Sequence, residues 1–178
     1  YISNGIIPKR NNGYNWTNVI PGNTKKTLWN EYYNTEELPQ VISPKSGYVY
    51  NANHSPFKST SLDENPDPKD YAKNMNFELY DNNRSTRIFE LINSYDSIDY
   101  NSFKLIKYDH TFPTPFNYNF MDVNKIMEMN PDDYTEIKEL LINIQNWDRK
   151  TNIESIGAGT FALFYYNLRK YFRKSYIN

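Results

Sequence analysis

The sequence predicts an α+β chain, with short extended or strand segments in its N-terminal third and helices predominating from about residue 85 onward. Two observations carry this reading. Residues 1–60 are rich in Asn, Gly, Pro and Tyr and show little helical periodicity. From Ser85, apolar residues recur at i, i+3 and i+4, the spacing of one helix face. Residues 61–84 lie between as a polar, proline-containing loop. The predicted organisation is thus an extended region over 1–60, a loop over 61–84 and a helical subdomain over 85–178.

Each element has a local reason. Tyr48-Val49-Tyr50 alternates and is entered through Ser46-Gly47, the pattern of a short strand after a turn. Asn51-Ala52-Asn53-His54-Ser55-Pro56 then reads as a polar strand end closed by proline. Ile88, Leu91 and Ile92 form the stripe of a first helix, which Asn82 or Asn83 would cap. A second helix spans 100–107, with Phe103, Ile106 and Lys107 along one side and Asp99 or Asp96 as its cap. The run from His110 to Pro115 breaks it, because its prolines disfavour helical geometry in the residues before them. Residues 122–129 form a short helix ended by Asn130-Pro131. Pro131-Asp132-Asp133 opens the next helix, acidic in its first turn, carrying Tyr134, Ile137, Leu140, Leu141 and Ile144. A last helix covers 157–172, with Phe161, Leu163, Phe164 and Leu168 apolar.

Composition narrows the function. The length, 178 residues, suits one domain. Seventeen Tyr and ten Phe supply large apolar areas for a core. Twenty basic and 21 acidic residues leave a net charge of −1, which argues against a nucleic-acid footprint. The basic cluster Arg169-Lys170 with Arg173-Lys174 reads as a solvated helix end favoured by the helix dipole. The absence of cysteine excludes disulfides, thiolate nucleophiles and cysteine-based zinc sites. No apolar run approaches the roughly 20 residues that a membrane span needs, so no membrane partner is expected.

The stretch LPQVISPKSGYVYNANHSPF, residues 38–57, carries the densest polar cluster. An amide side chain held at a strand end is able to donate its N–H to an oxyanion. The same Asn and Ser residues are also ordinary turn formers. Within this stretch, SPKSGYVYNANHSP resembles the "NP.SGyi.NaNn.P" motif of the penicillin acylase (penicillin amidase) family of N-terminal-nucleophile hydrolases. The resemblance continues in order along the chain. IIPKR, Val19-Ile20-Pro21-Gly22 and Trp29 match the family's "p.R…vpG…W". NNRSTRIFELI is similar to its "R..RI..ll" helix. Residues 97–109, LLINIQNWD and SIGAGTFALFYYNL match its later helical motifs.

The resemblance implies an αββα N-terminal-nucleophile fold and hydrolysis of an amide between an acyl chain and an amine core. β-Lactams, N-acyl-homoserine lactones and lipopeptide side chains are the implied substrate classes. Asn53 falls on the family's oxyanion-hole side chain, and Arg84 on an arginine that holds polar groups near the site. Asn51 and His54 flank Asn53 as candidate substrate-binding residues. His54 stands where the family often has Asn, and a hydrogen-bonded structural histidine is the alternative. For Arg84 the alternative is a helix-start pairing with Asp81 or Glu90. Arg87 reads as structural, and His110 as a turn residue. The acidic loop with Asp63, Glu64, Asp67 and Asp70 suggests a structural calcium on Asp63 and Asp67, since hard cations want several oxygen ligands; a solvated loop is the alternative. No organic cofactor is implied. Trp16, Trp29 and Trp147 read as core or interface aromatics.

The family's nucleophile is an N-terminal Ser, Cys or Thr whose own α-amine acts as base. Tyr1 does not match it, and Ser3 has no free amine. The expectation is therefore an internal fragment of the nucleophile-bearing chain, inactive alone, completed by upstream sequence and located in the periplasm or outside the cell. The rival reading is a non-catalytic, aromatic-rich module binding carbohydrate or peptide.

Overall fold

The structure, a computed structural model, describes residues 5–114, 116 and 122–175. Tyr1, Ser3 and Pro115 lie outside the described residues, as do the side chains of Phe172, Arg173 and Lys174. The chain divides into two compact units, Tyr1–Ser85 and Thr86–Asn178.

The N-terminal unit holds extended chain punctuated by 3-10 turns at Lys25–Thr27, Thr35–Glu37, Pro56–Lys58, Pro68–Asp70 and Lys73–Met75. Side chains next to these turns supply their caps, as Thr24, Ser55 and Asp67 do by accepting from backbone N–H groups two residues on. Leu38, Val41, Ala52, Phe57 and Met75 are buried, and Phe57 packs on the rings of Tyr71 and Phe77. Much of the rest of this interior is polar: His54, Ser55, Ser59, Thr60 and Ser85 are buried too. Burial of such groups is tolerable because hydrogen bonds satisfy them.

The predicted strand Tyr48-Val49-Tyr50 is extended chain without a ladder, and the described residues of this unit hold isolated bridge positions, at Pro8 with Tyr32 and at Gln40. The reason is local competition. Tyr50 N–H donates to Ser59 O at 2.9 Å. The N–H groups of Ser59 and Thr60, which a ladder would need, donate instead to Asn65 Oδ1 at 2.6 and 3.1 Å. Thr60 Oγ1 then donates to Tyr48 O at 2.8 Å. A side-chain amide has replaced the strand partner after one rung.

Helix α1, Asn83–Ile92, starts at the end of the N-terminal unit and continues into the next. The other helices are α2, Tyr100–Lys107; α3, Val123–Glu128; α4, Lys138–Gln145; and α5, Ile156–Ser175. The caps follow the sequence: Asp99 accepts from Ser102 N and Asp122 from Asn124 N. The helix predicted from Pro131 begins later. Pro131–Asp133 and Thr135–Ile137 are separate 3-10 turns, because Tyr134 between them takes φ −132° and ψ 64°. Asn130 caps the first of these turns.

The C-terminal core gathers Phe116, Val123, Ile126, Leu141, Ile144, Trp147 and Phe161. Trp147 stacks on Phe161 at 5.1 Å, and Phe116 meets both edge-on. Gly157 permits this: a Cβ there would lie 2.4 Å from Trp147 Cβ. Arg87 forms a fork with Asp109, Nε to Oδ2 at 2.9 Å and a terminal nitrogen to Oδ1 at 3.0 Å, which accords with its structural reading. The guanidinium holds the Asp109 carboxyl below its usual range. α2 keeps Tyr100, Phe103 and Leu105 exposed, so its predicted apolar side is only partly buried. No described helix is long and apolar enough to cross a membrane.

Candidate active site

The site is built around one backbone reversal. Asn53 has φ +57°, a left-handed conformation that Asn tolerates better than most residues. Asn51 closes the turn, its Oδ1 accepting from Asn53 N at 2.7 Å. Asn51 is thus an Asx-turn residue. Asn53 itself is exposed.

His54 stands under this turn, buried. Its Nδ1 faces Ala52 N at 3.1 Å, and a backbone N–H only donates, so Nδ1 accepts. The ring proton therefore sits on Nε2, which donates to Lys58 O at 2.7 Å. Tyr50 stacks on the ring at 4.8 Å. Burial, then the nearby Asp81 carboxylate, push the Tyr50 phenol well above its ordinary range. Both nitrogens of His54 are engaged with backbone, Nδ1 with Ala52 N and Nε2 with Lys58 O.

Arg84 reaches Asn53 directly. One guanidinium nitrogen donates to Ala52 O at 2.8 Å and to Asn53 Oδ1 at 3.0 Å. The alternative pairings go elsewhere: Asp81 pairs with Lys58 at 2.6 Å, and Glu90 with Arg87 at 3.0 Å. The chemistry of this contact settles the amide's orientation. Arginine has no acceptor, so the Asn53 atom facing it is the oxygen. The Asn53 Nδ2–H2 group therefore points away from Arg84 and donates to nothing among the described residues. The turn is exposed, and its amide nitrogen faces away from Arg84.

Asn82 is the site residue that sequence reading treated only as a cap. Its Oδ1 accepts from Ser85 N at 2.9 Å, and Ser85 Oγ accepts from Asn82 N at 3.0 Å, the reciprocal box that starts α1. Its Nδ2 meanwhile donates to Ala52 O at 2.9 Å and Asn53 O at 3.0 Å. The signal available in sequence was the run Asp81-Asn82-Asn83-Arg84, which places two amides just before the arginine.

Asp63 and Asp67 each have a local partner. Asp63 accepts from Ser61 Oγ, and Asp67 caps the Pro68–Asp70 turn through Lys69 N. Glu64 binds the N–H groups of Lys45 and Ser46. Among the described residues no three His, Asp or Glu side chains cluster together as metal ligands would. His110 is held by Tyr108 O and Asn152 Oδ1, at 2.9 and 2.6 Å. Trp147 is core, whereas Trp16 and the half-exposed Trp29 pack together at 6.4 Å with Arg10 over Trp29. A cavity of about 500 Å³ in the C-terminal unit, lined by Asn143, Asn146, Trp147, Asp148, Asn152 and Glu154 among others, contains none of the predicted site residues.

The profile of the penicillin amidase family matches residues 1–176 of the 178. The match takes in the Asn53 turn, Arg84 and all five helices described above, and the protein therefore belongs to the penicillin amidase family of amide hydrolases.

Proposed function

We propose that this chain supplies the oxyanion-binding part of an N-terminal-nucleophile amidohydrolase, with Asn53 Nδ2 as the side-chain donor. The observation that carries the reading is the Arg84 contact with Asn53 Oδ1, which turns the amide's N–H groups outward. In the reaction a hydroxyl or thiol adds to the carbonyl carbon of an acyl amide. The carbonyl oxygen gains negative charge, and Asn53 stabilises it by hydrogen bonding. The C–N bond then breaks, the amine leaves with a proton, and water releases the acyl group.

The substrate is a linear amide joining an acyl chain to an amine core, with β-lactams and acyl-homoserine lactones as candidate classes. The nucleophile with its own α-amine comes from another part of the protein, and this segment alone has no turnover. Within the complete αββα fold, the extended run Tyr48-Val49-Tyr50 pairs with a strand from that other part. The enzyme works in the periplasm or outside the cell.

The test uses the full-length protein. Wild type and Asn53→Ala are compared for self-cleavage and for hydrolysis of chromogenic phenylacetyl and longer acyl amides. Normal self-cleavage with turnover down roughly 10²–10³-fold supports the oxyanion role. Unchanged turnover, or a wild type that hydrolyses none of these amides, rejects it. The aromatic binding-module reading, for which the Trp16–Trp29 pair is the best feature, then takes its place.

A further inference from the structure

We infer that Asn82 is a positioning residue for Asn53, an inference that rests on the oxyanion reading above. Its amide nitrogen does something that a helix cap does not require. Ala52 O belongs to the peptide before Asn53, and Asn53 O to the peptide after it. One nitrogen, Asn82 Nδ2, donates to both, at 2.9 and 3.0 Å. The two bonds bracket the φ and ψ of Asn53 and hold the left-handed value of +57°. With the backbone fixed, the direction of the Asn53 Cα–Cβ bond is fixed too.

The Asn82 amide cannot flip to abandon this role. Its Oδ1 is held by Ser85 N at 2.9 Å, and a backbone N–H requires an oxygen opposite it. Ser85 is fully buried and accepts in return from Asn82 N. The start of α1 is therefore wired to the Asn53 turn across about thirty residues of chain. The labour divides cleanly. Arg84 orients the Asn53 side chain through Oδ1, and Asn82 orients the backbone that carries it. Ala52 O, which accepts from both, ties the two together.

The two jobs of Asn82 are separable by mutation. Asn82→Ser keeps an N-cap oxygen but loses the reach to residues 52 and 53. Asn82→Asp keeps the shape and the cap oxygen, and sets an acceptor against two carbonyl oxygens. In the full-length protein, on a chromogenic phenylacetyl amide, both variants are expected to lower kcat by roughly 10- to 100-fold with KM little changed. The melting temperature of Asn82→Ser should stay near wild type. In an Asn53→Ala background, Asn82→Ser should add no further loss, because it acts through Asn53. Amide hydrogen exchange over residues 51–54 should quicken in both variants.

Wild-type kcat in Asn82→Ser beside a slow Asn53→Ala overturns the positioning role alone. So does a full additional loss in the Asn53→Ala background. Unchanged exchange over 51–54 overturns it whatever the activity. A wild-type kcat in Asn53→Ala sinks the oxyanion reading itself, and this inference with it.

Discussion

Arg84 donates to the side-chain oxygen of Asn53 at 3.0 Å across 31 positions of sequence. The contact sets the polarity of the turn, because a guanidinium offers only donors. It leaves the amide nitrogen of Asn53 facing outward at an exposed position. The same guanidinium nitrogen holds Ala52 O at 2.8 Å, so side chain and backbone of the turn are restrained by one group.

Removing that restraint should affect catalysis more than folding. Arg84 is exposed, so Arg84→Ala leaves little cavity. The Asn53 amide then rotates freely, and turnover of a chromogenic acyl amide should fall by about 10-fold or more in the full-length protein. Arg84→Lys keeps one charged donor without the planar fork and should recover part of the loss. Equal turnover in Arg84→Ala and wild type would refute the orienting role.

Gly157 and Gly159 sit two positions apart in α5, yet the same substitution should have opposite effects. Alanine normally gains about 0.8–1.0 kcal/mol over glycine in a helix interior. At Gly159 a Cβ meets nothing within 4 Å, so Gly159→Ala should stabilise by up to that amount. At Gly157 the new Cβ would lie 2.4 Å from Trp147 Cβ, an atom fixed to the backbone of a buried residue. Overpacking of this kind costs about 1–3 kcal/mol and outweighs the propensity gain. Urea midpoints of the two variants should move in opposite directions, and a stabilised Gly157→Ala would contradict the packing described.

Glu64 gives the N-terminal unit an acid limit. Its carboxylate accepts from Ser46 N at 2.8 Å, from Lys45 N and from Ser61 Oγ at 2.9 Å. The Ser46 bonds lead in pulling its pKa from an ordinary 4.5 down to about 2. A group lowered on folding stabilises the fold above its unfolded value, and that contribution is lost as pH falls through the folded value. Wild type should therefore resist urea better than Glu64→Gln near neutral pH, with the difference closing between about pH 4.5 and 2. A difference that stays constant through this window would show that the charge contributes nothing.

What local interactions decide was legible in the amino acids alone. The cap Asp99 and the span of α2 follow from groups a few residues apart, which lose little chain entropy on meeting. The tendency of Asn53 toward a turn is local in the same sense, since Asn51 closes it from two residues away. The resemblance of the 38–57 motif and of the α1 segment also pointed to Asn53 and Arg84 one by one. The rest depended on tertiary packing. It brought Arg84 to Asn53 and away from Asp81 and Glu90, which took Lys58 and Arg87. It let Asn65 capture the N–H groups of Ser59 and Thr60, so that an alternating run did not become a ladder. It gave Asn82 a second task beyond its cap. The reason is common to all three. A polar side chain has several partners of similar energy, and which one it meets depends on where packing places the segments that carry them.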